Sequence, residues 1–125
     1  MKKIIKTSAA PAAIGPYSQA VKTAHFLFTA GQIAISPESG EMIQGGVAEQ
    51  TKQVLDNLSA VIREAGATLA QVVRTTVYLT KPDDFTPMND VYATYFSSEP
   101  PARVTVFVCA LPVNALVEID AIVEL

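Results

Sequence analysis

Cysteine, histidine and tryptophan are almost missing from this 125-residue sequence, which has one cysteine, one histidine and no tryptophan. The single cysteine, Cys109, excludes an intrachain disulfide, and a chain without disulfides fits a reducing compartment. Cys109 and the one histidine, His25, provide too few ligands for a zinc or other transition-metal site within one chain. We therefore expect a metal-free, cytoplasmic protein, with His25 exposed at a turn and Cys109 packed in a core or an interface.

Charged residues are also scarce, and the positive ones are the fewer. The sequence has 9 Lys and Arg residues against 12 Asp and Glu residues, which gives a net charge of −3. Nucleic-acid binding needs clustered basic side chains, so we expect no nucleic-acid partner. No apolar run approaches the roughly 18 residues of a membrane span, and the apolar run after Lys2 and Lys3 is too short for a signal peptide. We therefore expect no membrane partner.

Apolar residues make up 50% of the sequence, and charged residues only 17%. A chain of this length buries most of its surface in one core, so we expect a single domain spanning residues 1–125. The low charged fraction indicates that a partner covers part of the surface.

Hydrophobic periodicity predicts a protein of the α+β class. Alternating and β-branched runs predict strands, and a spacing of three to four residues predicts two helices. Gly66 should end the first helix and Pro82 should begin the second. Gly31 interrupts a strand, which is typical of a bulge or a close backbone approach. We expect strands at residues 2–6, 17–21, 26–31, 72–79, 103–109 and 116–123, and the first helix at residues 47–65. The buried stripe of the second helix should consist of Phe85, Met88, Tyr92 and Phe96.

Two crossover helices should lie on one face of a mixed sheet, because β-α-β crossovers are right-handed. The other face would then be bare, too apolar for water and too polar for a dry core, and such a patch is typical of an interface. We therefore expect a homo-oligomer. Residues predicted on the bare face are Tyr78, Phe107, Cys109 and Ile122, beside Arg103 and Thr105.

One arginine and one glutamate lie within the two C-terminal strands of this mostly apolar chain. Alternation places Arg103 and Glu118 on the faces opposite to most of the valines and isoleucines of their strands. They are candidates for chemistry. On spacing alone, however, solvated strand ends are the commoner place for such charges.

Several motifs together resemble those of the Rid family of reactive-intermediate deaminases, and above all its RidA branch of enamine and imine deaminases. They cover almost the whole chain in the family's order. These motifs are Ile14–Ala20 (IGPYSQA), Thr29–Ile33 (TAGQI), Asn89–Phe96 (NDVYATYF), Pro101–Arg103 (PAR) and Val117–Ile119 (VEI).

The resemblance implies a fold, an assembly and a reaction. The fold is chorismate-mutase-like, with a mixed sheet of core strand order 1-4-2-3 and two helices on one face, assembled as a homotrimer with active sites in the clefts between subunits. The reaction is the hydrolysis of 2-iminopropanoate and 2-iminobutanoate, or their enamines, to 2-oxo acids and ammonia. The implied functional partners are PLP-dependent dehydratases that release these imines, and no cofactor is expected.

The resemblance also assigns roles to residues. Arg103 would hold the substrate carboxylate, Glu118 would position or deprotonate water, and Tyr17 would close the site. The substrate-binding residues implied are Ala30, Gly31, Thr105 and Asn89. Thr105 and Phe107 depart from the family, many members of which carry Cys and Glu there, so a role for a thiol at Thr105 is in doubt.

Counting residues separates Arg103 from Glu118 by on the order of 13 Å along the sheet, with another strand between them if the family's order holds. If both serve one site, we expect them to come from different subunits.

Other functions remain open. A trimeric chaperone-like or small-carboxylate-binding module could use the same Arg103 cleft without turnover, although it would have little use for Glu118 near an anion. A ribonuclease or translation inhibitor, an activity reported for some relatives, conflicts with the acidic balance. Chorismate mutase activity would rest on likeness of fold alone.

Overall fold

A six-stranded mixed sheet with two helices forms the chain. The computed structural model describes residues 1–125. The sheet order is β1-β2-β3-β6-β4-β5, and β4 and β5 are its only parallel pair. The elements are β1 Lys3–Ile5, β2 Ala20–Lys22, β3 Phe26–Thr29, α1 Val47–Glu64, β4 Val72–Leu79, α2 Phe85–Tyr95, β5 Ala102–Phe107 and β6 Val117–Glu124.

The strand order confirms the fold that the family resemblance implies. The four core strands β3, β4, β5 and β6 lie in the order first, fourth, second, third. The last strand, β6, therefore sits between β3 and β4 and pairs antiparallel with both. Both helices pack on one face of this sheet, where one hydrophobic core joins them to the alternate residues of the strands.

Helix α1 begins and ends close to the predicted positions. Its apolar stripe is fully buried against the sheet at Val54, Leu55 and Ile62. At its start, the Glu49 carboxylate accepts the backbone N–H of Gly46 at 2.7 Å, which satisfies a donor that the helix leaves free. At its end, Gly66 adopts φ +87°, and such a left-handed residue after the cap is typical of a helix C-terminus.

Helix α2 follows a 3-10 turn at Pro82–Asp84, which agrees with the prediction that Pro82 starts the element. Met88, Tyr92 and Phe96 carry its buried stripe as expected. Phe85, also predicted there, is 37% exposed and lies over the edge strand β5 instead.

The predicted strand at residues 17–21 is wrong for its first half, because β2 covers only Ala20–Lys22. The side chain of Gln19 explains the difference. It accepts the N–H of Thr7 at 2.7 Å and donates to the carbonyl of Pro11 at 2.7 Å. These bonds tie the incoming loop to Gln19, so residues 17–19 continue the loop and not the sheet. Likewise β3 ends at Thr29, two residues before the predicted end.

The prediction for the two faces of β5 is also wrong. Arg103 and Thr105 pair in register with Thr75 and Val77, which are buried under the helices. Laterally paired residues point to the same side of a sheet. Arg103, Thr105 and Phe107 therefore lie on the helix side, while Val104 and Val106 lie on the bare side. Alternation locates two unlike faces but does not say which one an edge strand turns to the core.

The bare face of the sheet is otherwise as expected, with Tyr78 and Ile122 on it. We call it the open face. It is strongly apolar and partly exposed, with Phe28 45% and Val106 37% exposed. The residues on the open face include Ile4, Val21, Phe26, Phe28, Ile122, Val104, Val106, Thr76, Tyr78, Glu118 and Asp120.

Two residues with no predicted role lie outside the strands. His25 is exposed between β2 and β3, as expected. Cys109 lies beyond the end of β5 and is exposed, so its predicted packing in a core is wrong, and its place in an interface stays a prediction. Neither helix has the length and apolar character that crossing a membrane requires.

Candidate active site

A bulge at the end of β3 brings Gly31 against Glu118. Phe28 pairs with Ile122, so a regular ladder would pair Gly31 with Ile119, but Gln32 takes that place. One extra residue on the β3 side is the definition of a bulge, which confirms the prediction made for Gly31. A Cβ on Gly31 would overlap Glu118 Oε2 and lie 2.8 Å from its Cδ. Only glycine leaves the carboxylate its present position.

The carboxylate of Glu118 is half-buried on the open face and takes part in no ion pair within the chain. Burial raises the pKa of Glu118 above its ordinary value, and the nearby negative charge of Asp120 raises that pKa further. Asp120 itself accepts a hydrogen bond from the Tyr78 hydroxyl at 3.1 Å. A carboxylate with a raised pKa is a better proton acceptor than one with the ordinary pKa.

The loop that carries Tyr17 is anchored to the same bulge. The backbone carbonyl of Gln19 accepts the N–H of Ala30 at 2.9 Å, and the Gln19 side chain holds the loop as described above. The hydroxyl of Tyr17 accepts the N–H of Ile14 at 3.2 Å. Its own proton is therefore left free for another acceptor.

Tyr17 and Gly31 line one cavity of about 540 Å³. Its remaining walls are mostly apolar and come from the segment around Ile33 and from the loop before β6. In that loop, Val113 has φ +57°, a conformation that costs a β-branched residue energy. The cavity thus joins three loops around Gly31: Pro11–Gln19, Gly31–Gly40 and Pro112–Val113.

Arg103 lies elsewhere, on the helix side of the edge strand β5. Its guanidinium carbon is 4.8 Å from the ring centre of Tyr92 and 5.7 Å from that of Phe85. The one ion pair within the chain joins Lys52 to Asp56, so no carboxylate neutralises Arg103. A guanidinium stacked on aromatic rings and free of acidic partners can receive an external anion.

The other two predicted substrate-binding residues fall beside Arg103. Thr105 is two residues along β5 and on the same face as Arg103. Asn89 is half-buried on α2, one turn after Phe85 and one turn before Tyr92, so it shares their side of the helix.

The residues predicted for the site therefore form two groups, which we call half-sites, and these groups do not meet within one chain. The first contains Tyr17, Ala30, Gly31 and Glu118, and the second contains Arg103, Thr105 and Asn89. Strand β4 separates their strands, which is roughly 10 Å sideways. Glu118 is level with Tyr78 and Val106, three residues beyond Arg103, which adds about 10 Å along the strands. The two side chains also leave the sheet on opposite faces.

Sequence reasoning missed three contributors to these half-sites. Asp120 raises the pKa of Glu118, and its position two residues along the same strand was the available signal. Tyr92 was assigned only to the core, although its ring also contacts Arg103. Val113 gave no signal, because nothing in the sequence marks its left-handed backbone.

Known proteins resemble this chain over nearly its whole length. Residues 7–125 match the sequence profile of a family described as Endoribonuclease L-PSP. A RutC family protein of Pyrococcus abyssi is 52% identical over 121 residues, covering 97% of this chain and 95% of that protein. The mouse protein named 2-iminobutanoate/2-iminopropanoate deaminase is 46% identical over 122 residues, covering 98% of this chain and 90% of the relative.

A solved structure gives the same result for the fold. A protein of unknown function of the conserved Rid family from Yersinia pestis superposes with a TM-score of 0.97. The two sequences are 44% identical, and the match covers 100% of both chains.

Proposed function

The chain belongs to the Endoribonuclease L-PSP family, and we propose that it is a hydrolytic deaminase of 2-imino acids. Its substrates would be 2-iminopropanoate and 2-iminobutanoate, and its products the 2-oxo acids and ammonia. The observation that carries the proposal is the pair of unneutralised charges, Arg103 and Glu118, whose types suit this reaction. The names of relatives such as the mouse deaminase support the same substrates.

Arg103 would bind the substrate carboxylate. Its planar guanidinium can form two parallel charge-assisted hydrogen bonds to a carboxylate. The stacked rings of Tyr92 and Phe85 limit water on their side of the group, which strengthens the electrostatic attraction. The backbone carbonyl of Thr105, on the same strand, would accept a hydrogen bond from the imine nitrogen.

Glu118 would move the proton. Water attacks C2 of the imine, the C2–O bond forms and the C=N π pair shifts to nitrogen, while Glu118 accepts a proton from the water. The same carboxyl returns that proton to nitrogen and then transfers the proton of the C2 hydroxyl to nitrogen as well, so that the C2–N bond breaks, ammonia leaves and the C2=O bond forms. The free hydroxyl proton of Tyr17 can donate to the developing charge. Binding alone would need no carboxylate beside an anionic ligand.

The two half-sites would be completed by two copies of the chain. Their separation and their opposite faces prevent Arg103 and Glu118 of one chain from reaching a single three-carbon substrate. The exposed apolar open face supports association, and a ring of three copies, the assembly that the family resemblance implies, would provide three shared sites. A PLP-dependent dehydratase in the cytoplasm is the proposed source of the imine.

The proposal is tested by following imine decay in a coupled dehydratase assay, above the uncatalysed rate in water. Wild-type protein should accelerate the decay. Arg103→Lys should lower kcat/KM by roughly 10- to 100-fold, because the ammonium of lysine cannot form the two parallel hydrogen bonds of a guanidinium. One hydrogen bond to a charged group is worth about 1.5–3 kcal/mol.

The matched control for this change is Arg63→Lys, at an exposed arginine of α1, which should leave kcat/KM unchanged. Near-native turnover by Arg103→Lys would contradict the bidentate role, and no acceleration by the wild type would contradict the deaminase function.

The raised pKa of Glu118 predicts where kcat/KM falls on the acidic side of its pH profile. Glu118 can act as a base only when ionised, so kcat/KM should fall as the pH drops through a pKa above the ordinary value of 4.5. Asp120→Asn removes the like charge and keeps an acceptor for Tyr78. The pKa of Glu118 should then fall, and the acidic decline of kcat/KM should move to lower pH. Glu124→Gln, at the exposed end of β6, is the control and should move nothing. A profile unchanged or shifted upward in Asp120→Asn would show that Glu118 is not the titrating base.

A further inference from the structure

Aromatic rings, and no polar side chain, hold the guanidinium of Arg103 in this fold. The ring centre of Tyr92 is 4.8 Å from its central carbon, and that of Phe85 is 5.7 Å away. Both distances lie within the range in which a cation is attracted to a ring face. All the N–H groups of Arg103 can therefore be used for a ligand.

Burial, a hydrogen bond and a second aromatic ring hold Tyr92 in place, in addition to its stacking on Arg103. It is only 6% exposed, and its hydroxyl shares a hydrogen bond of 2.7 Å with the buried hydroxyl of Thr75. Its ring also packs against Phe96 with 4.7 Å between ring centres. A ring held at its hydroxyl and on one side cannot turn without leaving a buried hydroxyl unpaired.

Thr75 connects Tyr92 to Arg103, because Thr75 also pairs with Arg103 between β4 and β5. The backbone of Arg103 is thus fixed beside Thr75, the hydroxyl of Thr75 fixes Tyr92, and the ring of Tyr92 contacts the end of the Arg103 side chain. A flexible arginine loses considerable rotamer freedom when it binds a ligand. Contacts at both ends of the side chain remove part of that cost before binding.

We infer that Tyr92 is a positioning residue that holds Arg103 ready for a carboxylate and so determines substrate affinity. The inference rests on the proposed role of Arg103 in carboxylate binding. The inference makes Tyr92, a core residue, part of the site. It predicts that loss of the Tyr92 ring weakens binding of the anion without slowing the chemical step. Such a change raises KM and leaves kcat unchanged.

The test compares two variants of the full chain. Tyr92→Met removes the ring and keeps most of the buried volume, whereas Tyr92→Phe keeps the ring and removes the hydroxyl. We measure the Kd of 2-oxobutanoate by calorimetry, KM and kcat for 2-iminobutanoate made in the assay, and Tm. Tyr92→Met should raise Kd and KM by about tenfold, with kcat within about twofold. Tyr92→Phe should lower Tm, since the Thr75 hydroxyl loses its partner, yet leave Kd within about twofold.

Tyr95→Met is the matched control. Tyr95 lies on the same helix but donates its hydroxyl to Asp56 at 2.6 Å and has no contact with Arg103, so its loss should leave Kd unchanged. If Tyr92→Met fails to fold, Phe85→Leu removes the more exposed ring and should raise Kd by about threefold.

Three results would overturn the inference: a Kd that follows Tm across the Tyr92 variants, a Kd unaffected by loss of the ring, and no binding of 2-oxobutanoate by the wild type. The deaminase function fails separately. A wild type that binds 2-oxobutanoate but does not accelerate imine decay would refute the enzyme and leave the role of Tyr92 intact.

Discussion

Arg103→Ala and Glu118→Ala, each inactive alone, should regain about a quarter of wild-type activity when they are refolded together in equal amounts. In the proposed trimer, each shared site would need Arg103 from one copy and Glu118 from its neighbour. In a mixed ring, some interfaces unite an intact Arg103 with an intact Glu118, and random mixing makes these roughly one in four. The measurement is imine decay per mole of chain.

This experiment has two controls. Each single variant refolded alone should show no recovery. The double variant Arg103→Ala/Glu118→Ala refolded with either single variant should also show none, because no interface then holds both intact residues. Mass spectrometry must show mixed assemblies. No recovery in proven mixed assemblies would mean that the two residues do not serve a shared site.

Val106→Asp should dissociate the proposed trimer and, because the sites are shared, abolish activity as well. Val106 lies on the open face, 37% exposed in the single chain. Covering this face with another copy would bury the new carboxylate without a partner, at a cost on the order of several kcal/mol per interface. Sedimentation at several protein concentrations measures the loss.

The next residue provides the comparison. Phe107→Asp introduces the same charge on the same strand but on the helix side, where Phe107 is 50% exposed. Its effect on association should be smaller, because the neighbouring copy would meet this side of β5 only around the shared site and would cover the open face as a whole. Equal dissociation by both variants would show that the open face is not the principal interface.

Much of this fold could be predicted because the relevant forces are local. The periodic stripe of α1 and the β-branched run of β4 gave these elements nearly their observed bounds, and the strand order followed from the family motifs. The strand predicted at residues 17–21 failed, because long-range hydrogen bonds from Gln19 hold the chain in a loop. A pattern of two-residue alternation contains no information about such bonds.

The site was predictable in its residues but not in its arrangement. Arg103, Glu118, Tyr17 and Gly31 came from motifs, and the bulge at Gly31 came from a glycine within a strand. The face of Arg103 could not be predicted. In an edge strand both faces are partly exposed, so the more apolar set is not necessarily the one beneath the helices. Here the valines of β5 lie on the open face and Arg103 lies under aromatic rings of α2.

The central place of β6 has a consequence for how the chain folds. Its neighbours β3 and β4 are separated from it by long stretches of sequence, and such distant contacts make folding slow, because the entropy of closing the chain is lost before they form. Until β6 inserts, β3 and β4 have no common partner, and each presents an unpaired edge that can join another chain. The same insertion brings Glu118 beside Gly31. A chain that has not completed its sheet therefore lacks the proposed proton acceptor at the bulge, and activity during refolding should appear only after the sheet has formed and the chains have associated.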